Sequence, residues 1–96
     1  FLSARTLNLQ KQFESIPPPL ALLQKALKTY GYLIDVTGRN DSQSRLAVRA
    51  FQFHFRQHNP SGLFDAESAA ILFALIERYR NELLRDLLLE YGWLPT

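Results

Sequence analysis

Apolar residues recur at helical spacing along most of the chain. Leu20, Leu23, Ala26, Leu27 and Tyr30 share one face, and Lys25 and Lys28 fall on the other. This pattern predicts a helix from about Pro19 to Tyr30. The triplet Pro17-Pro18-Pro19 breaks the chain before it, and proline suits a first helical turn, where its missing N–H has no partner to lose. Gly31 is a natural stop. A second helix is expected over 42–56, capped by Asp41 or Ser42. At about 100° per residue, Ala47, Val48, Phe51 and Phe55 group together, and Leu46, Ala50 and Phe53 widen the apolar arc. Arg45, Arg49, Gln52 and Arg56 gather on the other side. A third helix starts after Asp65, with Glu67 in its first turn. Ala69, Leu72, Phe73, Ile76, Tyr79 and Leu83 form its stripe, and no breaker appears before Gly92, so it is expected to reach residue 91.

The ends are less regular. Residues 1–16 carry Leu2, Leu7, Leu9, Phe13 and Ile16 at spacing that fits a short helix only loosely. Leu83, Leu84, Leu87, Leu88 and Leu89 make the last stretch apolar on more than one side, so something must cover it. The N-terminal segment is the cheapest cover, and a partner chain or the remainder of the protein is the other candidate. No β pattern is present; Leu33-Ile34-Asp35-Val36 is at most an isolated extended stretch. The expected fold class is all-α: a small three-helix bundle (19–30, 42–56, 66–91) with a peripheral N-terminal helical segment. As domains, 1–18 reads as an extension or linker, 19–80 as the folded module and 81–96 as a C-terminal helical extension.

Composition narrows the function classes. Ninety-six residues allow one small domain. Such a domain buries only roughly 60–65% of its unfolded surface, and most of the twelve aromatics are needed to fill its core. Cysteine is absent, which excludes disulfides, thiolate metal sites and a thiol nucleophile. A net charge of +2 gives little support to nucleic-acid binding through the arginine stripe. No apolar run reaches about 18 residues, so no membrane span is expected. The chain starts at Phe1, which reads as a processed or excised piece.

Catalytic chemistry finds no footing. His54 and His58 form an i, i+4 pair, a partial metal site without a distinctive third ligand, and His54 is expected within the apolar arc. Glu77, Glu82, Asp86 and Glu90 alternate with Arg78, Arg80 and Arg85 as on a solvated helix, not across a cleft. No catalytic residue, metal or cofactor is therefore expected.

Two loop-to-helix units share one plan. Gly38-Arg39-Asn40-Asp41-Ser42 leads into Leu46-Ala47-Val48-Arg49-Ala50-Phe51-Gln52, and Gly62-Leu63-Phe64-Asp65-Ala66-Glu67-Ser68 leads into Ala69-Ala70-Ile71-Leu72-Phe73-Ala74-Leu75. Together with Leu23-Gln24-Lys25-Ala26-Leu27 and Tyr30-Gly31-Tyr32, their order resembles the peptidoglycan-binding-like domain of bacterial cell-wall enzymes. Within it, Ala50-Phe51-Gln52-Phe53-His54-Phe55-Arg56, Asp65-Ala66-Glu67-Ser68 and Ala74-Leu75-Ile76-Glu77-Arg78-Tyr79 are similar to the C-terminal domain of Gram-negative zinc-dependent N-acetylmuramoyl-L-alanine amidases. The similarity spans about residues 20–80. It implies a non-catalytic module that holds a parent enzyme on peptidoglycan, in the periplasm or at the outer membrane. Arg39-Asn40-Asp41 departs from the Gly-rich aromatic turn usual in the family.

The candidate ligand-binding residues are Tyr32, Arg39, Asn40, Arg45, Arg49, Gln52 and Arg56. Guanidiniums suit stem-peptide carboxylates, Gln52 suits sugar hydroxyls or amides, and tyrosine rings can stack on sugars. Gln52 also has a structural reading, as the residue that ties down a loop. The rival function is a protein-interaction or oligomerisation domain, docking on the parent catalytic domain or a second copy through Leu83, Leu84, Leu87 and Leu88.

Overall fold

The computed structural model describes residues 4–56 and 59–92. Five helices make up the described fold: α1 (Ala4–Ser15), α2 (Leu20–Tyr30), α3 (Ser42–Phe55), α4 (Ala66–Tyr79) and α5 (Asn81–Glu90). No strand occurs among the described residues, and the all-α expectation stands.

α4 is the centre of the bundle. Every residue from Ser68 to Ile76 is buried. A helix buried on all sides needs cover on all sides. α2 lies on one flank, and α1 and α5 on others. α3 joins the same core through Ala47, Val48 and Phe51.

Two expectations about the ends need correction. The N-terminal helix is not peripheral. Leu9 and Phe13 are 2% and 1% exposed, and the Phe13 ring meets Phe73 of α4 edge-on at 5.4 Å. Arg5 adds a two-pronged ion pair to Glu77, Nε to Oε1 at 3.1 Å and Nη2 to Oε2 at 2.9 Å, at the surface. The third helix also does not run unbroken to residue 91. It stops at Tyr79, and Arg80 takes φ −145°, ψ 52°. The Arg80 N–H closes α4 on the Ile76 carbonyl, while its own carbonyl accepts from Leu83 and Leu84 and opens α5. Neither glycine nor proline causes this break. A straight helix would carry Leu84, Leu87 and Leu88 away from the core; the bend returns them to α2 and α4, where all three are buried.

Replacing Phe13 with Ala should cost about 3–5 kcal/mol, since it removes an aromatic from a filled site. Arg5→Ala should cost under about 1 kcal/mol, as the pair is exposed. Urea denaturation of both variants checks the contrast; equal losses would mean that α1 does not rest on its apolar contact.

Candidate functional site

The two loops of the repeated plan are built the same way, and each is held by a buried glutamine from the preceding helix. Gln24 of α2 is wholly buried. Its Oε1 accepts the N–H groups of Thr37 and Gly38, both at 2.8 Å. Its Nε2 donates to the Arg39 carbonyl at 2.9 Å and to Ser44 Oγ at 2.7 Å. Gln52 of α3, also wholly buried, does likewise for the second loop. Its Oε1 accepts the Gly62 N–H at 2.8 Å, and its Nε2 donates to the Leu63 carbonyl and Ser68 Oγ, both at 2.9 Å. Gly38 and Gly62 stand at φ +74° and +82°, where a side chain is strained. At Gly62 a Cβ would also meet the Arg45 carbonyl oxygen at 3.2 Å. Three residues after each glycine comes the helix cap: Asp41 accepts from the Ser44 N–H and Asp65 from the Ser68 N–H.

The candidate residues divide on this frame. Gln52 and Arg56 do not lie on a solvated stripe with Arg45 and Arg49. Gln52 holds the second loop as described, and Arg56 is 5% exposed. Arg56 Nη1 pairs with Asp65 at 2.6 Å and Glu67 at 3.1 Å, and Nη2 donates to the Asn59 carbonyl at 2.6 Å. The loop 59–64 covers this part of α3, which position around the helix axis alone does not reveal. Leu46 and Phe53 were expected in the apolar arc but are 70% and 54% exposed. His54 also points outward, with its ring 4.6 Å from Phe55. His58 and Trp93 lie outside the described residues.

What remains outward on α3 is a contiguous face: Arg45, Leu46, Arg49, Ala50 and Phe53. Arg45 sits where the loops meet the helix. Its Nη1 donates to the Asn40 carbonyl at 2.6 Å, and its backbone carbonyl backs Gly62. The Arg49 guanidinium lies 5.6 Å from the Phe53 ring centroid. Neither arginine forms an ion pair among the described residues, and no carboxylate occurs on α3. Arg39 and Asn40 are exposed on the first loop beside this face, and Leu63 on the second is 52% exposed. Tyr32 is apart from them: half-buried, with its ring edge-on to Phe51 at 5.7 Å. The face thus offers cationic and apolar contacts to an anionic, partly apolar ligand. Leu46 and Phe53 are the functional candidates missed from sequence, because apolar residues on a helix are assigned to the core by default.

Leu84, Leu87 and Leu88, proposed as a partner surface, are consumed within the fold, and Leu83 is half-buried; Leu89 alone of that stretch is largely exposed. No group of three or more His, Cys, Asp or Glu that could hold a metal occurs among the described residues. No helix among them is long and apolar enough to cross a membrane.

Both cap carboxylates titrate below their ordinary range. Hydrogen bonding from the Ser44 hydroxyl, then Thr37, the Ser44 N–H and Gln43, lowers Asp41. Burial pushes Asp65 up, but the Arg56 guanidinium and the Ser68 N–H and hydroxyl together outweigh it. The stability each contributes is therefore complete above the unfolded value of about 3.9 and is lost as pH falls through the lower folded value. Thermal melts should hold steady from about pH 7 to pH 5 and fall below about pH 4, less steeply in Asp65→Asn. Gln52→Ala should cost about 2–4 kcal/mol by stranding the Gly62 N–H and the Leu63 carbonyl. Gln52→Glu, which keeps the shape but has no donor when ionised, should fail to restore it in urea titrations.

Residues 17–72, more than half of the chain, match the family described as putative peptidoglycan binding domain. The chain is 42% identical over 68 residues to N-acetylmuramoyl-L-alanine amidase AmiD of Escherichia coli (strain K12). The match covers 69% of this chain and 24% of that protein, so the chain spans about a quarter of the relative's length. No solved structure matches the chain. The matched segment contains both glutamine-held loops and the whole of α2 and α3, and the chain belongs to the putative peptidoglycan binding domain family.

Proposed function

We propose that the chain is a peptidoglycan-binding module that contacts the wall through the outward face of α3 and holds a parent amidase on its substrate. The observation that carries this reading is the pairing of two arginines free of carboxylate partners among the described residues, Arg45 and Arg49, with exposed Leu46 and Phe53 on one side of one helix. Isolated exposed leucines are ordinary on protein surfaces. One leucine and one phenylalanine interleaved with cations that have no carboxylate partner among the described residues are what a ligand bearing both carboxylates and alkyl groups would use, and the stem peptides of peptidoglycan are such a ligand. Arg39 and Asn40 extend the face along the first loop. Gln52 and Arg56 serve it indirectly, by fixing the second loop against Arg45.

The parent in this proposal is a zinc-dependent N-acetylmuramoyl-L-alanine amidase of the periplasm or outer membrane. The chain itself supplies no catalytic group. Its contribution is to raise the local concentration of substrate at a tethered active site. The contact residues belong to the module over 19–80, and the flanking helices α1 and α5 pack on α4.

The test is co-sedimentation with insoluble murein sacculi. Wild type should pellet saturably, and added salt should weaken it, as for exposed charge contacts. Arg45→Ala/Arg49→Ala should keep the wild-type melting curve and lose about tenfold in apparent affinity, the equivalent of two exposed ion pairs of about 0.7 kcal/mol each. Undiminished pelleting by this variant would move the contact surface off α3; no pelleting by wild type would overturn the function and favour a protein partner.

A further inference from the structure

The two glutamine-held loops meet at one side chain, Arg45 of α3. The second loop lies against its base: a Cβ on Gly62 would stand 3.2 Å from the Arg45 carbonyl oxygen and 3.7 Å from the Arg45 Cβ. The first loop holds its tip, where Nη1 donates to the Asn40 carbonyl at 2.6 Å. Asp41, the nearest carboxylate in sequence, does not compete for it. The Asp41 oxygens accept from the Thr37 hydroxyl at 2.9 Å, Gln43 Nε2 at 3.0 Å and the Ser44 N–H at 3.1 Å. Nε and Nη2 of Arg45 have no partner among the described residues, and the side chain is exposed. Arg49 is held differently. Its guanidinium lies 5.6 Å from the Phe53 ring centroid, and no acceptor among the described residues fixes its N–H groups.

A guanidinium is a planar fork of five N–H donors. A surface arginine ordinarily gives up much rotamer freedom to aim that fork in one direction. At Arg45 a neutral carbonyl takes one donor and sets the plane without cancelling the charge. The edge bearing Nε and Nη2 is left for a two-pronged contact. A carboxylate accepts both bonds. A carboxamide offers one oxygen, and its NH2 would set donor against donor. Contact with Phe53 gives Arg49 no such aim, so its attraction for an anion rests on charge alone.

We infer that Arg45 is the specificity-determining residue of the α3 face: it distinguishes a free carboxylate of the stem peptide from the same group amidated, while Arg49 adds attraction without discrimination. This rests on the peptidoglycan reading and deepens it. The hold of the module on the wall then depends on how far the stem peptides are amidated.

The probe is the soluble tetrapeptide L-alanyl-γ-D-glutamyl-meso-diaminopimelyl-D-alanine, as the free acid and with each of its carboxylates amidated in turn. Each is titrated into the full chain by NMR. For wild type, one amide should bind about threefold more weakly than the free acid, as for the loss of one exposed ion pair, and should fail to shift the Arg45 Nε–H resonance. Arg45→Ala should bind the free acid about threefold more weakly and that amide no worse than the free acid. Arg45→Lys keeps the charge without the fork and should also lose the preference, with an unchanged melting curve. Arg49→Ala should weaken the free acid and that amide equally. Arg85→Ala, which removes the same charge from the exposed side of α5, should bind as wild type does. A wild type that binds every amide as tightly as the free acid would overturn the inference. So would a preference that survives in Arg45→Ala or is lost in Arg49→Ala. No binding of the tetrapeptide while wild type still pellets with sacculi would also overturn it and leave the proposed function in place. Failure of wild type with both tetrapeptide and sacculi would overturn both.

Discussion

The fold depends on two primary amides placed where no other side chain would serve. Each of the loops after α2 and α3 turns sharply at a glycine and presents both N–H and C=O groups to the interior. An unpaired backbone group there costs on the order of 1–3 kcal/mol. A carboxamide supplies one acceptor and two donors from a single rigid plane, so Gln24 and Gln52 satisfy both kinds at once. A carboxylate could accept but not donate; a lysine could donate but not accept. Each amide also binds the serine three residues after the capping aspartate, and so ties the loop to the start of the following helix. Loop and helix are thereby set as one unit, twice over.

This arrangement decides which parts of α3 are free. Arg45, Gln52 and Arg56 fall within about 40° of one another around the helix axis. They differ in what passes over them. The loop 59–64 is drawn down by Gln52 and covers Arg56, whose guanidinium then needs Asp65 and Glu67 as partners. Arg45 stands at the edge of that cover, and Arg49 and Phe53 lie beyond it. α1 and α5 pack on α4, and α5 also meets α2. Apart from the contacts of Arg45 to the Asn40 carbonyl and to Gly62, the outward side chains of α3, Leu46, Arg49 and Phe53, are left exposed.

Much of this was legible before the structure. The glycine–aspartate spacing in both loops, the caps at Asp41 and Asp65, and the α2 stripe follow from local rules about φ, capping and helical period. The phase of α3 was not. Periodicity sorts residues by polarity, and a buried amide looks the same as a solvated one; Gln52 is read correctly only as part of the Phe51-Gln52 pair in the family pattern. The break at Arg80 was invisible for a different reason. Nothing local forbids a continuous helix there, and only the burial of Leu84, Leu87 and Leu88 favours the bend. The same limit applies to Leu9 and Phe13, whose loose spacing gains meaning only once Phe73 is across from them.

A net charge of +2 sets a further constraint on how such a domain can hold a polymer. Long-range attraction is weak at this charge, and at physiological salt it decays within about 8 Å. In the proposed function, binding would then come from short-range contacts of two kinds, apolar contact and paired charges, neither of which is large alone. Peptidoglycan presents both chemistries on one chain, neutral sugar rings bearing anionic peptides. Along α3, Arg45 and Phe53 lie about 12 Å apart, so in the proposed function the charge contacts and the apolar contact reach different parts of one strand. Two weak contacts joined through the ligand act as a single stronger one. In the proposed function, a module built this way would hold to the intact wall while each small fragment dissociated readily, the behaviour a tether needs if a parent enzyme is to release what it cuts.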